Sequence, residues 1–472
     1  MHLSLEDDAS DVGPTATVAG LVASLYIAAY FAVLLQPFVL IVSLPGSVGW
    51  AGLPLLGLSA LVLAPRDGLI RVPISAPILA LAFWSAASVA WSASFGESFF
   101  AIRTQIPPLI LLCLVVGSMP RAHVVRTLLW VFAGVGVWSL ASSLTMPLSR
   151  VAFVGEGPEQ TIQAGWRGTF LHKNLLGVFA LIGLTTTLAF VRHRGVKTAM
   201  LGLFVVLVLG TRSATAASGL VVVGVVWSWL TWFGSIHNPR SRALAALASV
   251  VLLAAAVASA LALLPILVGL YGKDLTFSGR TDIWAASLDT IRQRPLLGYG
   301  TGRVWQDRFD PLTADLHRRI GFRAAHAHNG VLDVLLAVGI IGLTLYFVVL
   351  LSTIRLAIRS LRTAGAPYGR WAVYSISAIM IMGLSEPLFE GAALGFLAIL
   401  WTVLAGFTNA ERRLRLAPST RAAANSALDV AQPPLGGGPP VRRDLLATFP
   451  SGSVRPPLRS HQDGKSVSEV VE

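Results

Sequence analysis

Two histidines, His326 and His328, stand directly before a long apolar segment in the stretch FRAAHAHNGVLDVLLAVGIIG, residues 322 to 342, and Asn329 follows them. Polar side chains at the edge of a bilayer-spanning helix cost free energy unless something pairs with them or uses them. A neutral imidazole accepts a proton near neutral pH, so acid–base chemistry is one interpretation. Capping of the following helix at the level of the lipid headgroups is the other.

An H-x-H pair can also bind zinc, but a zinc site needs further ligands. The nearby candidates are Asp310, Asp315 and His317, and their spacing matches no metal motif that we recognise. We therefore expect no metal and no other cofactor at this site.

Arg280 lies at the start of a predicted amphipathic helix within SGRTDIWAASLDTIRQRPLLGYG, residues 278 to 300, whose apolar stripe is Trp284, Leu288 and Ile291. A cation at that end gains nothing from the helix dipole. A guanidinium beside free backbone N–H groups nevertheless makes a strong anion site. The alternative is a solvated arginine or a lipid-headgroup anchor.

Arg212 lies in LGTRSATAASGL, residues 209 to 220, at the outer end of a predicted span, where basic residues are disfavoured. Its alternative interpretation is snorkelling to the headgroups. Most polar groups of this face are predicted to form one outward pocket, cationic and with one or two bases, which suits an anionic, lipid-linked, sugar-bearing ligand better than a soluble ion. The other polar residues expected on this face are Arg150, Arg167, His172, Lys173, Asn174, Glu386 and Glu390.

The elements that carry these residues are predicted to be membrane helices. Of the 472 residues, 54% are hydrophobic and 12% are charged, against about 25% charged in soluble domains. The net charge of +13 does not indicate nucleic-acid binding, because the basic residues are dispersed in short loops. The lone Cys113 excludes disulfides, and the acidic start of the chain argues against a cleavable signal peptide.

We predict an all-α polytopic membrane protein with about twelve transmembrane helices. Basic residues fall in alternating connections, which places both termini in the cytoplasm. The segments are a cytoplasmic N-terminal segment (1–17), a transmembrane domain (18–408) with a long outer loop (272–328), and a disordered cytoplasmic tail (409–472). The predicted spans are 18–43, 47–64, 74–93, 100–118, 123–146, 174–191, 197–211, 215–233, 243–271, 329–353, 371–388 and 392–408.

Four stretches in order resemble the O-antigen ligase/polymerase family of bacterial membrane glycan transferases, especially its exopolysaccharide-polymerase branch. In the last of them, His328, Asn329, Gly339 and Gly342 fit the family's ligase spacing. The stretches are GTFLHKNLLG (168–177), TRSATA (211–216), SGRTDIW…PLLGYGTG (278–302) and HAHNGVLDVLLAVGIIG (326–342).

The resemblance implies a C-type membrane glycosyltransferase fold in the bacterial inner membrane, with its active site facing the periplasm. It implies an undecaprenyl-diphosphate-linked oligosaccharide as donor, a glycan acceptor, contact with membrane lipid and with other exopolysaccharide assembly proteins, and inversion without a metal. Arg212 and Arg280 would hold the diphosphate, and His328 would be the general base. Further candidates for substrate binding are His326, Asn329, Arg167, His172, Lys173 and Asn174.

Three other functions stay open. A ligase would move finished glycan to another acceptor, whereas we favour polymerisation of repeat units because GRTDIW…PLLGYG and FLHKNLLG look more like the polymerases. A transporter or lipid flippase should carry ionisable groups near the middle of its spans and repeated halves. Only Arg103 approaches that description. A structural subunit of an envelope complex would not need the ordered arginines and histidines.

The predicted topology can be tested with single cysteines at Ser278 and Ser451 in a Cys113→Ala background. An impermeant thiol reagent should label the cysteine at 278 in intact cells, and the cysteine at 451 only after lysis. Labelling of position 451 but not of 278 in intact cells would reverse the orientation.

Overall fold

The computed structural model describes residues 14–35, 46–64, 72–73, 75–154, 161–249, 280–302, 304–305, 310–384, 386–387 and 392–416. These residues are predominantly helical, with one short antiparallel hairpin of β1 (Val151–Val154) and β2 (Thr161–Ala164). The helices are α1 Pro14–Leu35, α2 Gly46–Leu63, α3 Ala76–Ala87, α4 Phe95–Ser118, α5 Arg121–Thr145, α6 Lys173–Phe190, α7 Arg194–Gly210, α8 Ala214–Ser235, α9 (239–249), α10 Arg280–Gln293, α11 Pro311–Ile320, α12 Gly330–Ser360, α13 Ala366–Gly383 and α14 Ala392–Leu416.

A helix occupies each predicted span whose residues are described. The span predicted at 243–271 lies mostly outside the described residues, as does most of the predicted tail and Glu390. Within the described residues, five helices are long and apolar enough to cross a membrane: α4, α5, α6, α8 and α12. Four shorter apolar helices accompany them. The chain is thus a multi-pass helical membrane protein, and the number of twelve spans stays a prediction.

Helix α6 lies at the centre of the helical bundle, where it packs against α5, α7, α8 and α13. Hydrogen bonds join it to α13: Thr185 Oγ1 lies 2.9 Å from Ser375 Oγ, and the Trp371 indole donates to Thr186 Oγ1 at 3.0 Å. Polar contacts of this kind hold helices together where the apolar surroundings give no hydrophobic drive. They fix α6, and with it the residues at its N-terminal end.

The described part of the predicted outer loop folds around a small hydrophobic core, which we call the outer core. Helix α10 packs against α11 and against α12, and residues of all three helices line this core. Helix α11 begins at the N-cap Asp310, whose carboxylate accepts from two backbone N–H groups, and ends at Gly321 with φ 85°. The buried residues of this core are Ile283, Ala286, Ile291, Tyr299, Val304, Leu316, Ile320, Ala324, Ala327, Leu332 and Leu336.

The predicted stripe of α10 is wrong in one residue. Trp284 does face the core, where its indole donates to the Ala327 carbonyl at 3.0 Å, and Ile291 is buried. Leu288, however, is 44% exposed. Because α10 contacts both α11 and α12, its buried face is the row that begins at Ile283 rather than the row from Trp284 through Leu288.

Helix α12 is broken at Gly339, which has φ 67° and ψ −169°. Only glycine adopts that conformation without strain. The segment 295–300, which follows α10, supplies the hydrogen bonds that the break removes, and the Trp84 indole donates to the Val338 carbonyl at 3.0 Å. The backbone pairs are Ile340 N–H to Pro295 O at 2.8 Å, Tyr299 N–H to Leu336 O at 2.8 Å, and Gly300 N–H to Ala337 O at 2.9 Å.

The PLLGYG motif and the glycine of α12 are therefore two sides of one contact. Through it, the C-terminal end of α10 is fixed to the middle of α12. Arg280 opens α10 and His328 precedes α12, so the contact restricts how far these two residues can move apart.

We expect Gly339→Ala to destabilise the outer core by about 2–4 kcal/mol, because an added Cβ would overlap the Leu296 carbonyl and would be strained at positive φ. Gly224→Ala in α8 is the control, since a Cβ there meets no atom within 4 Å. Thermal unfolding of the purified chain should show a lower midpoint for the first variant only. Equal midpoints would remove the role assigned to the break.

Candidate active site

The described site is built around one carboxylate oxygen, Oε1 of Glu386, whose side chain is only 7% exposed. Asn174 donates to it from Nδ2 at 2.5 Å. The Arg280 guanidinium lies 3.6 Å away through Nη2, and His328 Nδ1 lies 3.9 Å away. A buried carboxylate is stable only when cations or hydrogen-bond donors surround it. Three separate parts of the chain thus meet at Glu386.

Helix ends position two of these side chains. Asn174 is the second residue of α6, and His172 caps that helix by accepting the Asn174 N–H at 3.2 Å through Nδ1. Asn329 caps α12, accepting from the N–H groups of Val331 at 3.0 Å and Leu332 at 3.3 Å. His172 and Asn329, which were candidates for substrate binding, therefore have a capping role in the structure.

Backbone strain marks the two predicted residues that carry the most chemistry. Arg212 has φ 50° and His328 has φ 51°, and they are the non-glycine residues with positive φ in the described part of the chain. A left-handed conformation costs such residues roughly 1–2 kcal/mol. Strain of this kind persists where the surrounding structure imposes it, and it concentrates at functional sites.

The two histidines contact one another. The ring centroids of His326 and His328 are 3.9 Å apart, and the His328 N–H donates to His326 Nδ1 at 3.1 Å. Burial lowers the pKa of His326 to about 2, with His328, His172 and Arg280 acting in the same direction. Because its Nδ1 accepts a hydrogen bond, neutral His326 carries its proton on Nε2. His326 is thus a neutral neighbour that supports the His328 backbone.

His328 Nδ1 is buried and has no hydrogen-bond partner within the described ranges. A buried nitrogen without a partner costs about 1–3 kcal/mol. Burial also lowers the pKa of His172, although the nearby Glu386 acts against this. The cations that lie near Glu386 are Arg280 and the neighbouring Lys173.

Arg212 lies between α7 and α8 and is exposed. The residues just before it hold the loop that leads to α6, since the Trp166 N–H donates to the Gly210 carbonyl at 2.7 Å. Its side chain makes no hydrogen bond or ion pair with the described residues and is available to a ligand. The contacts at Glu386 unite Arg280 and His328, and they do not include Arg212.

Two other predicted basic residues are used within the protein. The Arg167 guanidinium is buried and donates to the carbonyls of Leu148 at 3.0 Å and Leu171 at 3.4 Å. Arg150 donates to the Ser143 carbonyl at 2.8 Å and to the Leu144 carbonyl, which caps the end of α5. Arg167 thus braces the loop before α6.

The sequence prediction assigned no role to two buried carboxylates. Glu386 was placed on the outer face only because it precedes Pro387 at the end of a predicted span. Asp333 sits in the first turns of α12, where Oδ1 accepts the Ala327 N–H at 2.8 Å and the Trp305 indole N–H at 3.0 Å. Asp333 clamps the turn that holds His328. The sequence feature that could have indicated this role is that Asp333 is a single acidic residue at the start of an apolar span.

His326, His328 and Glu386 offer three ligand atoms within 4.8 Å of one another, which is a spacing that a metal ion could bridge. Two features oppose that use. The Arg280 guanidinium lies 3.6 Å from Glu386 and would repel a cation. His326 Nδ1 already accepts a hydrogen bond from the His328 N–H. If Nε2 bound a metal, the proton of the neutral imidazole would move to Nδ1, which could then no longer accept this hydrogen bond. The charges and hydrogen bonds of the cluster fit an anion better.

Two comparisons with known proteins relate the chain to a family. Residues 198–347 match the model of the O-antigen ligase family. The matched segment contains Arg212, Arg280, His326 and His328, and it ends before Glu386.

Over 197 residues the chain is 29% identical to the exopolysaccharide production protein ExoQ of Rhizobium meliloti (strain 1021). The alignment covers 39% of this chain and 45% of that protein, so the chain spans less than half the length of the curated relative it matches. Both comparisons confirm what the motifs predict: the chain is similar to the O-antigen ligase/polymerase family.

Proposed function

We propose that this chain is a membrane glycosyltransferase that moves undecaprenyl-diphosphate-linked glycan on the periplasmic face of the bacterial inner membrane. Its favoured reaction is polymerisation of exopolysaccharide or O-antigen repeat units. The observation that carries the proposal is the meeting of Arg280 and His328 at Glu386, with His328 and Arg212 both held in a left-handed conformation. A cation for the diphosphate and a base for the acceptor then share one site.

The chemistry is a displacement at the anomeric carbon of the donor sugar. His328 takes the proton of the acceptor hydroxyl as its oxygen bonds to that carbon, and the bond from the carbon to the diphosphate breaks. The departing diphosphate keeps the electron pair and gains charge, which Arg212 and Arg280 stabilise most strongly in the transition state. A histidine base contributes about 10²–10⁴-fold.

The proposed membrane arrangement is the twelve-span, C-type fold that the sequence predicts. In that topology the N-terminal ends of α6 and α12 reach the outer face, where lipid-linked donor and acceptor can meet. The site residues support this placement, because Asn174 opens α6 and His328 directly precedes the first turn of α12. Other exopolysaccharide assembly proteins are the expected partners of such an enzyme.

Ligation is the second candidate function, and a specific observation favours it. The matching family model is described as O-antigen ligase, while the similar curated protein is named for exopolysaccharide production. A transporter or flippase would not need a strained histidine beside a buried ion pair, so we place it behind both transfer reactions.

We expect Arg280→Ala and Arg212→Ala each to reduce glycan transfer at least about 100-fold with normal protein level. Lysine at either position should restore little, because an ammonium group cannot reproduce the two-pronged contact with a phosphate. Arg318→Ala is the matched control. That arginine is exposed on the surface of α11, one of the helices that form the outer core. Full activity with both alanines would leave only headgroup anchoring.

We expect activity of the purified chain to persist in excess chelator, because arginines occupy the role that Mg²⁺ plays for other diphosphate donors. The assay uses carrier-linked oligosaccharide extracted from a strain that lacks this gene. Loss of transfer on chelation, restored by one divalent ion, would instead assign a metal to His326, His328 and Glu386.

The variant His328→Ala distinguishes the two transfer reactions. For a polymerase, we expect single carrier-linked repeat units to accumulate in the cell, with no high-molecular-weight glycan. His193→Ala is the control, because it removes an exposed histidine cap from α7. Full-length carrier-linked polymer that never reaches its final acceptor would identify a ligase.

A further inference from the structure

Two side chains, those of Arg280 and His328, compete for contact with Oε1 of Glu386. Arg280 Nη2 at 3.6 Å and His328 Nδ1 at 3.9 Å both lie just beyond hydrogen-bond distance of this oxygen, while Asn174 holds it at 2.5 Å. His328 Nδ1 is the member of this set that is buried without a hydrogen bond in the described structure. The Glu386 carboxylate therefore lies between the Arg280 guanidinium and the His328 imidazole, without a hydrogen bond to either.

Binding of a diphosphate changes this balance. The Arg280 side chain is 27% exposed, so it can turn toward a ligand, whereas Glu386 is 7% exposed and is held by Asn174. Once Arg280 contacts phosphate oxygens, Glu386 loses the cation that lies 3.6 Å from it while staying buried, which is costly. The nearest remaining group that can donate a hydrogen bond is His328 Nδ1, and such contacts shorten when substrate binds.

We propose that Glu386 exchanges Arg280 for His328 when the diphosphate of the donor binds, and that this contact exchange makes His328 an effective base only in the donor complex. The inference rests on the proposed function and names a new positioning residue, Glu386, for the same reaction.

The exchange fixes the proton positions on His328. When Nδ1–H donates to Glu386, the proton is placed on Nδ1 and the lone pair of Nε2 is left for the acceptor hydroxyl. Nε2 takes that proton as the glycosidic bond forms and the diphosphate leaves with the electron pair of the broken bond. The carboxylate stabilises the resulting imidazolium, which releases its proton to water after the diphosphate departs.

The other groups facing Glu386 do not replace it. Partial burial of His172 and His326 lowers the pKa of both, so they add little positive charge. Lys173 lies near the carboxylate. Asp333 also interacts electrostatically with His328, but its Oδ1 is committed to Ala327 and Trp305. The carboxylate oxygen that lies 3.9 Å from His328 Nδ1 is that of Glu386.

The test is the variant Glu386→Gln in the full-length chain, with two measurements. The first is binding of farnesyl diphosphate, and the second is the turnover of extracted carrier-linked oligosaccharide at saturating donor. Asp315→Asn is the matched control, because it removes a carboxylate from α11 that pairs only with Arg318 and Arg319 among the described residues.

We expect Glu386→Gln to bind farnesyl diphosphate about fivefold more tightly, because Arg280 no longer has a competing carboxylate. Turnover should fall at least about tenfold, since His328 loses its orienting partner. These changes have opposite directions. If the variant instead bound farnesyl diphosphate more weakly and also turned over more slowly, Glu386 would have a purely structural role and the contact exchange would be wrong. Unchanged turnover would also overturn the contact exchange.

The wild-type chain supplies a measurement that does not depend on the variant folding. In ¹⁵N spectra of histidine-labelled protein, farnesyl diphosphate should move one Nδ1–H resonance to a hydrogen-bonded position, and His328→Gln should remove that resonance. A spectrum without this change would overturn the exchange. Full activity of Arg280→Ala and His328→Ala would instead contradict the proposed function itself.

Discussion

The break in α12 at Gly339 is the constraint on which the site depends. An interrupted helix leaves backbone N–H and C=O groups that hydrocarbon cannot satisfy, so irregular backbone is stable there only when other protein groups pair with it. The segment 295–300 provides those pairs, and its glycines allow the close approach. The first turns of α12 are thereby joined to the outer core. This contact restricts how far Arg280 and His328 can move apart.

The site combines several features, each of which raises the free energy of the folded protein. A buried carboxylate, a buried imidazole nitrogen without a hydrogen bond, and two residues in the left-handed region each cost free energy. Helix caps and the Asp333 clamp hold them in place. Such an arrangement is typical of a functional site rather than of a region that serves stability alone.

The sequence predicted the helical membrane class and the positions of the described helices, and the structure confirms both because apolar length is a local property. The motif spacing likewise predicted the family that the comparisons match. The catalytic roles of Arg280 and His328 stay predictions. The sequence did not predict the role of Glu386, which is separated from Arg280 and His328 along the chain and meets them only through tertiary packing. The exposure of Leu288 and the burial of Arg167 were missed for the same reason, since each depends on which neighbouring element is present.

The most direct measurement is a cryo-electron microscopy structure of the full-length chain in nanodiscs with undecaprenyl diphosphate. We predict phosphate oxygens within about 3 Å of the guanidinium groups of both Arg280 and Arg212, with His328 facing the space where the anomeric carbon would lie. A diphosphate bound elsewhere, with neither arginine in contact, would contradict the assignment of this cluster as the active site.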